Sequence, residues 1–220
     1  MARALDLHSR GRGFDSLILH MNWSDDLKVV WLTPMRTGTR SSGYVMNELN
    51  FKSPINTNGV PTHLFGIPEG KEDYYLICNT RNPYSRMVSL YYMYMDSVNN
   101  FNESFDKWIK GNFIFREEDY NVFLSVRLQK LDKSVDKFIR METFEEDILS
   151  LPFIKKHSIK LKNVLETKVS TNIFNEEYEN RMGEKRKPWK SFYNQERADI
   201  LYTKLKCEFD YFNYDKNSWK

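Results

Sequence analysis

The chain has 220 residues, enough for one domain with a substantial core, and 40% of them are apolar, including 15 Phe and 13 Tyr. Lys and Arg number 33 against 30 Asp and Glu, a formal charge of +3, which argues against a uniformly basic nucleic-acid binder and leaves room for a local basic pocket. Cys78 and Cys207 are the only cysteines; they make no disulfide framework and lack zinc-site spacing, so a reducing compartment is expected.

Arg3, Asp6, Arg10, Arg12 and Asp15 interrupt Met1 to Trp23, so this stretch lacks the apolar core of a signal peptide. Residues 1–27 are expected to form an irregular lead-in. No apolar run approaches the roughly 20 residues that span a bilayer, and a soluble, cytoplasmic protein is expected. Lys28-Val29-Val30-Trp31-Leu32 predicts a buried strand, followed by a polar loop over Thr33 to Ser42 and a helix through Tyr44 to Leu49. Asn50 to Gly70 carries Pro54, Gly59, Pro61, Gly66, Pro68 and Gly70 and reads as loop. Tyr74 to Cys78 predicts a second strand. Pro83 then suits the first turn of a helix whose apolar face is Met87, Val88, Leu90, Tyr91, Tyr94 and Met95.

Phe105 to Leu131 reads as mostly helical, Lys137 to Met141 as a third strand, and Thr143 to Leu149 as a helix with an acidic first turn. Residues 157–193 are polar, basic and poorly periodic, and are expected to be covering loops. Asn194 to Phe209 predicts one amphipathic helix through Ile200, Leu201, Leu205 and Phe209. Strands alternating with helices predict an α/β fold, a parallel sheet flanked by helices, in one domain over residues 1–220.

Arg36-Thr37-Gly38-Thr39-Arg40-Ser41-Ser42 lies between a predicted strand and a predicted helix. Gly38 permits a tight turn, and the free amides at the helix start face whatever occupies it. Thr37, Thr39, Ser41 and Ser42 add hydroxyls, and Arg36 and Arg40 add charge. A polar turn that merely caps a helix would read the same. The Gly-Lys-Ser/Thr ending of an ATP or GTP loop is missing. The second motif, Cys78-Asn79-Thr80-Arg81-Asn82-Pro83-Tyr84-Ser85-Arg86-Met87-Val88-Ser89-Leu90-Tyr91-Tyr92, puts the Arg81 guanidinium at a strand end, where ligands of α/β sheets gather. Ser89 follows two helical turns on, so the pair can hold one phosphate from two sides. Arg86 reads as an anchor to a carboxylate.

The two motifs together resemble the PAPS-dependent sulfotransferases, closest to the carbohydrate and heparan type. Arg36 to Ser41 is similar to the family's 5′-phosphosulfate loop, with Arg40 where a hydroxyl residue is common. Arg81 to Ser89 is similar to its 3′-phosphate motif. The resemblance implies a P-loop-like sulfotransferase fold and 3′-phosphoadenylyl sulfate (PAPS) as sulfuryl donor, with adenosine 3′,5′-bisphosphate as product and no metal. It also implies Arg36 as the cation at the leaving oxygen. Arg181, Lys185, Arg186 and Lys187 would lie on a late basic loop that closes over the nucleotide, anchored at either Arg181-Met182-Gly183 or Arg186-Lys187-Pro188. Trp189, Phe192 and Tyr193 are candidate neighbours of the adenine as much as core residues. Glu142 corresponds to an architectural Glu.

For the catalytic base, His63 lies between the two motifs, and an imidazole titrates near neutral pH. Glu48 and Glu69 are its carboxylate rivals. The expected partners are a small-molecule or glycan acceptor, with no nucleic acid and no membrane. Two other readings stay open: a nucleotide kinase, or a non-catalytic protein that binds nucleotide or nucleic acid through the basic stretch 181–190.

Overall fold

The computed structural model describes residues 20–53, 66–97, 103–111, 124–154, 158–168 and 186–220. Val29 to Thr33 and Leu76 to Thr80 are buried at every position. Strands apolar on both faces must be covered on both, which puts them at the centre of a sheet. The sheet has four strands in the order β1 (His20–Ser24), β2 (Val29–Thr33), β3 (Tyr75–Thr80) and β4 (Lys137–Arg140). β2, β3 and β4 are parallel, with Val30 opposite Leu76 and Cys78 opposite Phe138. β1 runs antiparallel along β2, with Asn22 opposite Trp31. The sheet is therefore mixed rather than purely parallel, and the end of the expected lead-in is an edge strand.

The helices are α1 (Thr39–Glu48), α2 (Pro83–Ser97), α3 (Phe105–Lys110), α4 (Leu124–Leu128), α5 (Phe144–Leu149), α6 (Ser158–Lys168), α7 (Gln195–Lys204) and α8 (Lys206–Phe212). Alternation along the central strands divides them into two layers. Val29, Trp31, Ile77 and Ile139 face Val45 and Met46 of α1, Phe144 and Ile148 of α5, and Leu161 and Leu165 of α6. Val30, Leu32, Leu76 and Cys78 face Leu124 and Leu128 of α4 and Phe212 of α8. A third apolar cluster joins α2, α3 and α7 through Tyr84, Met87, Trp108 and Leu201, with Met35 of the loop after β2 inside it. Among the described residues no helix is long and apolar enough to cross a membrane.

Two helical expectations need correction. The stretch expected as loops contains α6 and a 3-10 turn at Trp189–Phe192. The single helix expected over Asn194 to Phe209 is two helices, broken at Leu205 (φ −112°, ψ 20°). The break goes with a tertiary contact: the Lys204 ammonium donates to the carbonyls of Ile109 (2.8 Å), Lys110 and Gly111 (3.2 Å each), satisfying the end of α3.

Arg197 of α7 grips Asp106 of α3 with both arms of its guanidinium, Nε to Oδ1 at 2.8 Å and an Nη to Oδ2 at 2.5 Å. These bonds hold the Asp106 carboxyl below its ordinary range. A depressed folded-state pKa gives stability that is present above the unfolded value, near 3.9, and lost as pH falls through the folded one. Asp106→Asn should therefore cost about 0.5–1 kcal/mol at neutral pH. Thermal melts across pH should show the gap to the parent closing below about pH 4; a gap of constant size would assign the loss to packing.

Candidate functional site

The first loop leaves the carboxyl end of β2. Pro34 opens it, Arg36 takes the left-handed conformation (φ 63°), and Gly38 takes it again (φ 88°) as the residue before α1. A left-handed arginine is uncommon, and such outliers collect at functional sites. Gly38 is required twice over: its backbone disfavours side chains, and a Cβ there would meet the Met141 sulfur at 1.9 Å. α1 carries no acidic residue in its first turn, which leaves its positive end unneutralised.

The loop's hydroxyls divide into two sets. Thr37 and Ser42 are fully buried and serve the loop itself. Thr37 Oγ1 donates to the Pro34 carbonyl at 2.6 Å, and Ser42 Oγ accepts from Asn79 Nδ2 at 2.6 Å. Thr39 is half-buried and Arg40 is exposed at the helix start, where they can meet a ligand. Ser41 is buried.

The second motif leaves the carboxyl end of β3, the strand beside β2, and its side chains hold the first loop in shape. Three successive carbonyls each accept a hydrogen bond from it: Met35 O from Arg86 Nε at 3.1 Å, Arg36 O from an Nη of Arg81 at 3.4 Å, and Thr37 O from Asn79 Nδ2 at 2.9 Å. In the other direction, Arg36 Nε donates to Ser89 Oγ at 2.9 Å, so the first loop's cation sits at the second motif's hydroxyl. Arg81 Nε donates to Ser85 Oγ at 2.9 Å. Burial pulls the Arg81 guanidinium down to about 10, with the Glu142 carboxylate opposing; it remains a cation at neutral pH.

Arg86 anchors to a carboxylate as its sequence suggests, with an Nη 3.6 Å from Glu208 Oε2. Glu142 is architectural: Oε1 accepts from the Asn82 amide at 2.9 Å and Oε2 from the Tyr214 hydroxyl at 3.0 Å.

In the late basic loop, the Arg186 guanidinium lies over the Tyr92 ring at 5.1 Å, and the Lys187 amide donates to the Tyr92 hydroxyl at 3.0 Å. Arg81 thus precedes the first turn of α2, Arg36 reaches Ser89 in its second, and Arg186 lies farther along over Tyr92. Of the two anchors considered for this loop, only Arg186-Lys187-Pro188 is described; Arg181 and Lys185 lie outside the described residues. Tyr193 is a core residue, its hydroxyl donating to the Tyr84 carbonyl at 2.8 Å. Phe192 packs against Tyr91, Tyr92 and Phe105.

His63 also lies outside the described residues. Its carboxylate rivals stand away from the loop. Glu48 closes α1, roughly 14 Å along the helix from its start, and faces Lys160. Glu69 belongs to the turn that enters β3 at its amino end, where Lys71 meets Asp25 of the β1–β2 turn at 2.6 Å.

A groove of about 400 Å³ runs along the outer side of α1, lined by Asn22, Thr33, Thr39, Arg40, Tyr44 and Asn47 among others. Its volume suits a small molecule or a sugar unit. It meets the loop after β2 at Thr39 and Arg40. The groove was not legible from the motifs, and Asn79 stands in the second motif without a role that the sequence assigns. The signal for Asn79 is a polar residue continuing an apolar strand run; Asn22, Tyr44 and Asn47 carried none.

Over 100 residues, 46% of this chain and 79% of the relative, the sequence is 31% identical to an uncharacterized protein of Archaeoglobus fulgidus, and the chain belongs to one family with it. No family model matches the chain, and no solved structure matches it.

Proposed function

We propose that this chain is a sulfotransferase that moves a sulfuryl group from 3′-phosphoadenylyl sulfate to an acceptor hydroxyl or amine. One observation carries the reading: two basic, hydroxyl-bearing motifs at the carboxyl ends of adjacent parallel strands interlock, Arg36 reaching Ser89 and Arg81 reaching the Arg36 carbonyl. Two separate sets of basic and hydroxyl groups suit a nucleotide phosphorylated on its ribose as well as at its 5′ end. Arg36 and the start of α1 would take the 5′-phosphosulfate. Arg81 and Ser89, with Arg186 and Lys187 of the late loop, would take the 3′-phosphate.

The groove beside Thr39 and Arg40 supports an acceptor site, and its amide and hydroxyl lining suits a sugar. His63 is the base assigned on the sequence. The acceptor group gives its proton to that base, its oxygen or nitrogen bonds to sulfur, and the bond from sulfur to the phosphate oxygen breaks. Arg36 meets the charge that develops on that oxygen, and adenosine 3′,5′-bisphosphate leaves.

Calorimetry with adenosine 3′,5′-bisphosphate tests the reading. Binding should be tighter than to ADP, which lacks the ribose phosphate. Arg81→Ala should weaken it by about 2 kcal/mol, roughly thirtyfold, because charged hydrogen bonds are lost. Incubation with 3′-phosphoadenylyl sulfate and a panel of sugars and phenols should then give one product heavier by a sulfuryl group. Equal affinity for both nucleotides, or binding indifferent to Arg81, removes the second phosphate pocket and the enzyme assignment with it. Magnesium-dependent preference for ATP would point to a kinase instead.

A further inference from the structure

We infer that Glu208, on the C-terminal helix α8, is a positioning residue for the phosphate loop and acts through Arg86. The proposal rests on reading that loop as the donor site, but its geometry stands apart from any ligand.

Arg86 and Glu208 are 6% and 3% exposed, and a buried charge pair of this kind is retained only with its remaining lone pairs and protons satisfied. Glu208 Oε1 accepts from both the amide (2.7 Å) and the hydroxyl of Ser125 in α4. Its Oε2 faces Arg86 at 3.6 Å. Arg86 spends its Nε on the Met35 carbonyl, the acceptor directly before left-handed Arg36. Burial pushes the Glu208 carboxyl up and the Arg86 guanidinium down, each opposed by the other's charge. A cavity of about 10 Å³ lies between Thr37, Arg81, Arg86 and Glu208, at the lower limit for one water.

Four elements meet at this junction: α4, α8, α2 and the loop after β2. A well-packed apolar pair could fill the same volume at equal or better stability. The charges buy something packing does not: a directional donor aimed at one loop carbonyl. Arg81 and Asn79 hold the next two carbonyls, but both come from β3 and its exit. Arg86 ties the loop to a charged group of the C-terminal helix.

The test is the double variant Arg86→Met/Glu208→Gln, which removes both charges and leaves Gln able to accept from Ser125. Its melting temperature should stay within about 5 °C of the parent, as neutralised pairs commonly do. Hydrogen exchange without ligand should be at least tenfold faster at amides 35–42, with β2 and β3 unchanged, and affinity for adenosine 3′,5′-bisphosphate should fall at least tenfold. Arg86→Lys, which keeps the charge facing Glu208 but has no Nε fork, should reproduce the exchange change and serves if the double variant does not fold. Parent-like exchange in either variant overturns the inference. If the parent protein binds no nucleotide, the donor-site reading falls, and the exchange measurement still decides whether Glu208 and Arg86 position the loop.

Discussion

Arg36→Ala should lower the rate of sulfuryl transfer by about 100- to 1000-fold, the usual loss when a donor aimed at developing charge is removed. Arg36 is the one loop cation whose guanidinium is fixed toward the second motif, by its bond to Ser89 Oγ. Its backbone, at φ 63°, is held left-handed by a carbonyl bond on each side: Arg86 on Met35 O and Asn79 on Thr37 O. Alanine keeps that backbone and its two flanking carbonyl bonds while removing the guanidinium and its bond to Ser89, so the melting temperature should move by no more than one hydrogen bond's worth, about 1 kcal/mol. Arg36→Lys separates two contributions. An ammonium can still follow charge on the leaving oxygen but cannot present the planar fork to Ser89. It should recover most of the rate with weaker nucleotide binding. Full activity in Arg36→Ala would remove the loop from the chemistry.

What the sequence reveals of this fold depends on whether the cause is local. β2, β3 and β4 are short runs rich in apolar residues flanked by polar loops, and their positions follow within a few residues. β1 has no such pattern: Asn22 and Ser24 are buried polar residues, and the strand exists because β2 offers an edge to pair with. Among its described side chains, α6 presents Leu161 and Leu165, spaced four apart, as its buried core residues, a weak signal inside a lysine-rich stretch. No glycine or proline marks the break at Leu205, which accompanies carbonyls of α3 that arrive from some 95 residues earlier in the chain.

The site divides in the same way. Both motifs were legible because glycine, proline and arginine at strand ends have few structural reasons to be there. The division of labour among their side chains was not. Thr37 and Ser42 read as ligand hydroxyls yet are fully buried, Thr37 bonded to the Pro34 carbonyl and Ser42 to Asn79 of β3, and Asn79, which also accepts from Trp31 Nε1 at 2.7 Å, stands in the second motif with no role that the sequence reveals. Such roles depend on which carbonyls face which strand, a property of the packed pair of loops and of neither alone.

Gly38→Val should cost about 2–5 kcal/mol of stability and abolish nucleotide binding. Two separate penalties add. A left-handed non-glycine backbone costs about 1–2 kcal/mol, toward the upper end or beyond for a β-branched residue. Forcing a side chain into filled space costs about 1–3 kcal/mol more, since even a Cβ meets the Met141 sulfur at 1.9 Å and its terminal methyl at 2.7 Å. The second penalty falls on the end of a flexible side chain, and a variant can probe it. Gly38→Ala with Met141→Ala removes the collision and leaves the backbone cost, so it should recover part of the melting temperature relative to Gly38→Ala alone. Nucleotide affinity should not recover with it, because affinity follows the turn that aims α1 at the phosphate. If affinity returns together with stability, Gly38 matters only as a space for Met141, and the start of α1 is not an anion site.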